Sequence, residues 1–317
     1  MVPSAVRETE HVMDVRVPAT EMYRLIEDTE RWPLVFPPSV HVDRLERTGD
    51  DERIRLWAWM HGEVATWTSR RVLDPVALRV RFRQEVSTPP VAAMGGAWVL
   101  EPLGPQECRV RLLHDFRAVD DDPSKLSWIE AAVDRNSRAE LAALRDHAEN
   151  AAALSARTLS FEDTVRIRGT AEDVYAFIRD AGHWPRRLPH VAAVDLDEKE
   201  PGVQRLGMQT RTADGATHRT ESVRVCLPGR IVYKQTRLPA LLTAHTGCWH
   251  IEAEGPADVT VTSRHTAVID PAAVPAVLGT GAGLAKARDH VRAALGGNSL
   301  ATLRHAADHA KARLGAV

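Results

Sequence analysis

The chain contains two copies of one pattern, and this duplication limits its architecture more than any other feature. The copies agree in residue type and in order. The matched pairs are Tyr23 with Tyr175, Trp32 with Trp184, Ser69 with Ser222, Arg71 with Arg224, Phe82 with Tyr233, Gln84 with Gln235, Trp98 with Trp249, His114 with His265, and Asn136 with Asn298. A period of about 150 residues is the size of a domain, not of a solenoid unit. We therefore predict two tandem domains, residues 1–152 and 158–317, with a boundary near 150–159.

Composition is that of a soluble globular protein and excludes several functions. Of the 317 residues, 44% are apolar and 26% are charged, and the formal net charge is −2. This charge gives no reason to expect nucleic acid or an anionic membrane as the main partner. No apolar run approaches the roughly 20 residues of a membrane span, and residues 1–11 lack the apolar core of a secretory signal. Three cysteines without CxxC spacing are expected to be ordinary thiols in a reducing cytoplasm.

Within the first copy, the order of patterns predicts an α+β domain. Residues 10–17 alternate apolar and polar as a strand does, and Thr20 is expected to cap a short helix that follows. Trp32-Pro33 ends the helical structure, and residues 40–116 contain five or six strands with short turns, which is typical of an antiparallel sheet. Asp122-Pro123 then opens a long amphipathic helix. A curved sheet wrapped around this helix is expected to leave an interior cavity.

The stretch 67–71 indicates what such a cavity holds. Alternate residues of a strand share a face, so Trp67, Ser69 and Arg71 point to one side, and Trp57 and Trp59 are expected to extend this aromatic surface. Because an unpaired buried guanidinium is costly, Arg71 must meet solvent or a carboxylate, or line a cavity that binds a polar group. We favour the cavity. The residues expected on the same face are Phe82, Gln84, Trp98 and His114, with Asn136 or Ser137 contributed by the helix.

These residues resemble the two-domain aromatase/cyclases of bacterial type II polyketide synthases, which have the helix-grip (START-like) fold. The resemblance rests on Trp32-Pro33, the Trp67-x-Ser69-x-Arg71 strand, the Trp98 strand and the Asn136-Ser137 helix, and it covers both halves. It implies a cofactor-independent enzyme of antibiotic or pigment biosynthesis. The implied substrate is a poly-β-ketone, already reduced at one carbonyl and bound to an acyl carrier protein. The implied reaction is an intramolecular aldol condensation that closes the first ring, followed by loss of water that aromatises it.

The resemblance also implies a set of site residues in each copy. The catalytic candidates are Arg71, Ser69 and His114, and in the second copy Arg224, Ser222 and His265. Arginine can hydrogen-bond an enolate, serine can donate to the attacked carbonyl, and histidine suits acid–base work in the dehydration. The substrate-binding candidates are Trp32, Trp67, Phe82, Gln84, Trp98 and Asn136, and in the second copy Trp184, His218, Tyr233, Gln235 and Trp249. No metal is required.

Two alternatives remain. The chain could be a non-catalytic carrier of a hydrophobic ligand, although a carrier would favour aliphatic walls over the polar groups of this face. Alternatively, one copy could be catalytic while the other is a structural or docking module, because Thr220 replaces Trp67 in the second copy. Serine hydrolase and dinucleotide-binding functions are disfavoured, since neither GxSxG nor a Gly-rich strand-to-helix turn is present.

The expected partners are the acyl carrier protein and other enzymes of the synthase. Arg79, Arg81 and Arg83 alternate with Val80 and Phe82, so they are predicted to point outward. There they could dock an acidic carrier protein or form an ordinary solvated surface. The sequence does not decide whether the chain also forms a homodimer.

Overall fold

The computed structural model describes residues 6–60, 62–211 and 217–314. The chain divides into two compact units, Met1–Ala152 and Ala153–Val317. Each unit contains one antiparallel sheet and ends in one long helix. This arrangement confirms the predicted α+β class and its duplication.

The first domain is built on a seven-stranded sheet. Its strands are β1 (Arg7–Val15), β2 (Ser39–Thr48), β3 (Asp51–Met60), β4 (Glu63–Asp74), β5 (Arg79–Gln84), β6 (Val91–Gly104) and β7 (Glu107–Ala118). Their order across the sheet is β1-β7-β6-β5-β4-β3-β2. Strands β2 to β7 therefore form a meander of antiparallel neighbours, and β1 pairs with β7 to complete the sheet.

A long helix covers the inner face of this sheet. The helices are α1 (Ala19–Glu27), α2 (Trp32–Val35), α3 (Pro123–Glu149) and α4 (Ala151–Arg157), with 3₁₀ turns at Thr29–Arg31 and Val119–Asp121. Asp122 caps α3 as predicted, because its Oδ1 accepts the backbone N–H of Ser124 at 2.8 Å and of Lys125 at 3.2 Å. The buried stripe of α3 is Ile129, Val133, Ser137, Leu141, Leu144 and Ala148. Burial of each large aliphatic side chain contributes about 1.5–3 kcal/mol.

Helix α1 begins differently from the prediction. It starts at Ala19, after Pro18, and no side chain caps its first turn. Thr20 therefore lies within the helix, and its predicted capping role is wrong. Pro18 has a φ of −59°, so the ring of this residue already fixes the backbone angle with which the chain enters the helix.

The face assigned to two tryptophans also needs correction. In the β3–β4 hairpin Leu56 pairs with Trp67, whereas Trp57 pairs with Thr66. Because paired residues share a face, Trp57 and Trp59 lie on the opposite side of the sheet from Trp67. Trp57 is buried there and stacks on His41, with a ring-centroid distance of 5.6 Å.

The second domain repeats this plan. Its strands are β8 (Thr158–Arg168), β9 (Val191–Glu200), β10 (Val203–Arg211), β11 (Thr217–Leu227), β12 (Arg230–Arg237), β13 (Leu242–Gly255) and β14 (Asp258–Ile269), in the order β8-β14-β13-β12-β11-β10-β9. Its helices are α5 (Ala171–Arg179), α6 (Trp184–Arg187), α7 (Val274–Leu278) and α8 (Leu284–Leu314), with a 3₁₀ turn at Ala181–His183. Among the helices of the described ranges, none is long and apolar enough to cross a membrane.

Candidate functional site

The inner face of the first sheet brings together most of the predicted residues. Ser69 pairs with Gln84 and Arg71 with Phe82 across β4 and β5. Phe82 in turn pairs with Gly96, and Gly96 pairs with His114. Paired residues lie on the same face, so the prediction that these side chains share one side of the sheet is confirmed.

Arg71 is held differently from the expectation of an open, charged cavity wall. Its Nη2 donates to the carbonyl oxygen of Ile26 at 2.8 Å, at the end of α1, and its Nη1 lies 3.3 Å from Glu52 Oε1. The exposed fractions of these two charged side chains are 2% and 0%. The indole of Trp32 covers the guanidinium at 5.1 Å. A carboxylate therefore compensates the charge of Arg71, which does not line an open cavity. The contact is an ion pair without a hydrogen bond, because Arg71 Nε, Arg71 Nη1 and Glu52 Oε1 have no hydrogen-bond partner among the described residues.

Arg224 repeats this role in the second domain with a different neighbour. Its Nη2 donates to Ile178 O at 2.6 Å, at the end of α5, and Trp184 lies 5.2 Å from its guanidinium. The residue paired with it is Gln204, where the first domain has Glu52. Gln204 donates to Glu198 Oε2 at 2.7 Å, so the compensating carboxylate lies one strand further away. Burial lowers the pKa of both arginines, and Glu52 opposes this change at Arg71.

The two matched serines, Ser69 and Ser222, differ in burial and in hydrogen bonding. Ser69 is buried, and its Oγ donates to the carbonyl oxygen of Arg83 at 3.1 Å. A hydroxyl has one proton, so the expected donation by Ser69 to a substrate carbonyl is not available in this arrangement. Ser222 pairs with Gln235 and remains half-buried.

His114 lies on the inner face of β7, opposite helix α3. Its Nδ1 is 3.5 Å from Ser137 Oγ, and the edge of Phe82 meets its ring at a centroid distance of 5.5 Å. Burial, with a smaller effect of His11, lowers the pKa of His114 to about 4, so the imidazole is neutral at pH 7. Of the two candidates on α3, Ser137 faces this histidine, whereas Asn136 is exposed because it lies beside the buried stripe.

The predicted aromatic slot is mostly core. Trp98, Trp184 and Trp249 are each 6% exposed, and they pack in the apolar clusters of their domains. Their burial favours a role in packing over the predicted contact with a substrate. Trp32 is half-buried, and its ring meets Phe36 edge to face at a centroid distance of 5.4 Å. Trp32 therefore packs against the core in addition to covering Arg71.

The half-buried members of the predicted set remain available to a ligand. These are Trp67, Phe82 and Gln84 in the first domain and His218, Tyr233 and Gln235 in the second. Gln84 contacts Met94 Sδ at 3.8 Å and accepts from Ser87 at 3.2 Å. The Oε1 of Gln235, in contrast, is buried without a hydrogen-bond partner among the described residues.

Sequence reasoning missed Glu140. This residue lies on α3 one turn after Ser137 and one turn before Leu144, next to the buried stripe. Burial raises the pKa of its carboxyl group to about 7. A carboxyl group with this pKa can accept or donate a proton near neutral pH. The only signal in the sequence was one charged residue next to an apolar helix face. Many exposed helix residues have the same pattern, so it does not distinguish Glu140 from them.

The second inner face holds a connected cluster around His265. Its Nδ1 lies 3.1 Å from Tyr233 Oη and 3.1 Å from His245 Nε2. Its Nε2 lies 2.8 Å from Ser299 Oγ on α8 and 3.2 Å from Ser263 Oγ. Burial lowers the pKa of His265 to about 4 and that of His245 to about 3, so both rings are neutral at pH 7.

Of this cluster, the contributions of Ser263 and Ser299 were not predicted. The repeat offered a signal for Ser299, since it matches Ser137, but no local pattern marks Ser263. In the described part of the chain, no group of three or more His, Cys, Asp or Glu side chains is arranged to hold a metal ion.

The outer face of the first sheet carries the three arginines predicted to point outward, and all three are exposed. Arg83 forms a two-point ion pair with Asp115, at 2.6 and 2.9 Å. All three arginines line one concavity, which has a volume of about 480 Å³. A second concavity of about 520 Å³ lies between β1 and α3 and includes His11 and Asp134.

Comparison with known proteins gives one family description for both domains. Residues 15–126 and residues 158–310 match families described as polyketide cyclase / dehydrase and lipid transport. The chain is 46% identical to the granaticin polyketide synthase bifunctional cyclase/dehydratase of Streptomyces violaceoruber, over 96% of this chain and 95% of that protein. It is 48% identical to the actinorhodin polyketide synthase bifunctional cyclase/dehydratase of Streptomyces coelicolor, over 94% and 95%.

Two solved structures match over nearly the whole length. The di-domain ARO/CYC BexL from the BE-7585A biosynthetic pathway is 55% identical, with a TM-score of 0.89 over 96% of this chain and 98% of that one. The di-domain ARO/CYC StfQ from the steffimycin biosynthetic pathway is 34% identical, with a TM-score of 0.89 over 97% and 99%. The resemblance inferred from the sequence is confirmed, and the chain belongs to the two-domain polyketide cyclase/dehydratase family.

Proposed function

We propose that the chain closes the first ring of a poly-β-ketone by intramolecular aldol condensation and then removes water to aromatise that ring. The substrate is carried by an acyl carrier protein in the cytoplasm and has been reduced at one carbonyl. The observation that carries the proposal is 46–48% identity over both domains to bifunctional cyclase/dehydratases. The matched pairs His114–Ser137 and His265–Ser299, one on each inner face, support it.

The chemistry requires few groups. A methylene between two carbonyls is acidic, so enolisation needs a modest base and a hydrogen bond to the oxygen that becomes negative. In the first domain the neutral His114 supplies a hydrogen bond, and Glu140, one turn along α3 from the Ser137 that faces this histidine, supplies the acid–base group. Burial raises the pKa of Glu140 to about 7. Holding both ends of one flexible chain together provides effective molarities of up to about 10⁵ M or more in favourable geometry.

The arginines contribute to this function through the scaffold. Arg71 and Arg224 tie a strand of the sheet to the last carbonyls of α1 and α5. Each thereby fixes the start of the Trp-Pro segment that follows, which borders the inner face. Their removal is expected to unfold this corner of the domain before it reveals any direct role in catalysis.

Product analysis in a reconstituted type II polyketide synthase tests the proposal. We expect His114→Gln, His265→Gln, or both to divert product to spontaneously cyclised shunt compounds while the protein stays folded. His250→Gln is the matched control, because His250 is exposed on β13. If both histidine variants gave the wild-type product at the wild-type rate, a role of these two histidines in catalysis would be excluded.

A carrier function is the second candidate, favoured by the family description that includes lipid transport. A carrier would bind the polyketide analogue with the same affinity in wild type and in the histidine variants, and would change no bond in it. Equilibrium binding measured beside turnover separates the two candidates. The hydrogen-bonded cluster around His265 favours the enzyme, because a carrier has no need to bury so many polar groups.

Docking of the acyl carrier protein is proposed at the exposed arginines of β5. Replacing Arg79, Arg81 and Arg83 with Glu should slow turnover of carrier-bound substrate and leave a free thioester analogue unaffected. Equal slowing of both substrates would show that the surface is not a docking site.

A further inference from the structure

Three positions around the matched histidines differ between the two inner faces. Each is apolar in the first domain and hydrogen-bonding in the second: Phe82 becomes Tyr233, Met94 becomes His245, and Leu112 becomes Ser263. The sheet register fixes these equivalences, because Gly247 pairs with Tyr233 and with His265 as Gly96 pairs with Phe82 and with His114. Burying polar groups costs free energy unless they are hydrogen-bonded, so packing alone does not explain three such changes around one ring.

The hydrogen-bond network of the cluster allows its hydrogens to be assigned. An imidazole nitrogen has one in-plane lone pair, so two donors at His265 Nδ1 would compete for it, whereas one N–H there can be shared between two acceptors. We place the hydrogen on Nδ1, facing Tyr233 Oη and His245 Nε2, both at 3.1 Å. This assignment puts the proton of the neutral His245 on its Nδ1, which is buried without a hydrogen-bond partner among the described residues. At Nε2, Ser299 is the nearer of two hydroxyls, at 2.8 Å against 3.2 Å for Ser263, and we assign it as the donor to this nitrogen. The hydroxyl proton of Tyr233 is then free of protein acceptors among the described residues.

Tyr233 is placed so that this proton can reach a ligand. Its side chain is half-buried on the inner face, so it borders the interior and is not sealed in the core. Burial raises the pKa of its phenol, which therefore keeps its proton. Hydrogen bonds in series strengthen one another, so the chain Ser299–His265–Tyr233 makes the last hydroxyl a better donor than an isolated tyrosine.

We propose that Tyr233 donates a hydrogen bond to a ketone oxygen of the cyclised chain and stabilises the enolate through which water is lost. This inference rests on the proposed function and places its dehydration step in the second domain. The equivalent Phe82 has no hydroxyl, so the first domain lacks this donor. The first domain instead keeps Trp67 where the second has Thr220, which gives it the aromatic surface suited to folding the uncyclised chain.

The step balances without a cofactor. The C–H bond next to the ketone breaks, its electron pair forms the enolate, and a water molecule accepts the proton. The enolate then forms the new C=C bond as the C–O bond of the β-hydroxyl breaks, and that oxygen takes the proton carried by the water. Tyr233 keeps its own proton throughout and lowers the energy of the intermediate by its hydrogen bond.

His265 is a positioning residue in this scheme. Phe161 stacks on the imidazole of His265 at a centroid distance of 5.0 Å. The guanidinium of Arg292 in turn lies over the ring of Phe161, 4.2 Å from its centroid. Arg292 is itself fixed by Asp163 at 2.6 Å. Gly247 completes the arrangement, because a Cβ at this position would lie 2.2 Å from Tyr233 Oη.

The experiment uses the full-length chain and a synthetic β-hydroxycyclohexanone that bears an apolar thioester side chain. Its conversion to the conjugated enone is followed by ultraviolet absorbance. We expect Tyr233→Phe to lower kcat by about 100-fold or more with little change in KM, since loss of one oxyanion donor typically has this effect. Tyr175→Phe is the matched control, because it removes the same atom from a tyrosine of the same domain outside the cluster. In the reconstituted synthase, Tyr233→Phe should accumulate the cyclised, undehydrated product.

Fluorotyrosine at position 233 separates a donor from a structural hydroxyl. If Tyr233 donates in the rate-limiting step, kcat must vary with the pKa of the fluorinated phenol. A rate independent of that pKa, or a Tyr233→Phe rate within twofold of wild type, would overturn the inference and leave the proposed function standing. If the wild-type chain itself neither dehydrates this probe nor alters the product of the synthase, the proposed function fails first.

Discussion

The buried ion pair between Arg71 and Glu52 allows a quantitative test of the scaffold role. In Glu52→Gln, the guanidinium stays buried beside Trp32 but loses its carboxylate. The side chains of Arg71 and Glu52 are 2% and 0% exposed, so water cannot replace the lost partner without local unfolding. Breaking one side of such a buried pair typically destabilises a domain by about 3–5 kcal/mol.

The neighbouring carboxylate does not compensate. In the second domain, Gln204 occupies the equivalent position and Glu198 supplies the charge through it. On the corresponding strand of the first domain, the side chain of Glu46 is 69% exposed and pairs with Arg53 at 3.2 Å. Glu52→Gln therefore creates the amide of the second domain without its supporting carboxylate, and the full penalty should be observed.

Thermal and urea unfolding of the full-length chain measure this penalty. Since about 1 kcal/mol shifts the Tm of a domain of this size by roughly 2–4 °C, the transition of the first domain should fall by about 6–20 °C. Glu46→Gln is the control, because an exposed pair contributes about 0–1 kcal/mol. A Glu52→Gln transition that moved no further than the control would show that Arg71 does not depend on Glu52, and the scaffold argument would fail.

Three further perturbations test the fold and the second site. The pKa of His265 is about 4 in the folded chain and near 6.5 in the unfolded chain, so the unfolded chain binds more protons between these pH values. The free energy of unfolding should therefore fall as the pH is lowered from 6.5 to 4, and His265→Gln should reduce this pH dependence in urea titrations. Gly247→Ala should push the ring of Tyr233 aside and destabilise the second domain by about 1–3 kcal/mol, and an unchanged melting curve would contradict the close approach. Asp122→Ala should destabilise the first domain by about 1 kcal/mol in urea unfolding through loss of the α3 cap, whereas Asp146→Ala, at an exposed position near the end of that helix, should not.

Local patterns were sufficient to predict the architecture. The duplication gave the number of domains, and the alternation along 67–71 gave a face that the register confirms. The Asp122-Pro123 pair gave the start of α3 correctly, because a helix cap depends on residues within one turn. Each of these predictions rests on interactions between residues that are close in sequence.

The errors arose where distant residues decide the outcome. Trp57 and Trp59 were placed on the wrong face because a hairpin register that differs by one residue reverses every side chain of the strand. Arg71 was assigned to an open cavity because its partners, Glu52 and the Ile26 carbonyl, lie on another strand and at a helix end. The cluster around His265 likewise assembles residues from β12, β13, β14 and α8, which no local pattern connects.

The duplication also provides an internal comparison that separates scaffold from chemistry. The residues that join a strand of the sheet to the end of the first helix are the same in both copies, as the Arg71–Trp32 and Arg224–Trp184 pairs show. A residue needed only for the fold has no reason to gain a hydroxyl in one copy, yet Phe82 and Tyr233 occupy the same site in the same sheet. The two inner faces therefore share a framework but offer different hydrogen bonds to a substrate. Two successive steps on one chain, ring closure and loss of water, are the kind of chemistry that two such faces can divide between them.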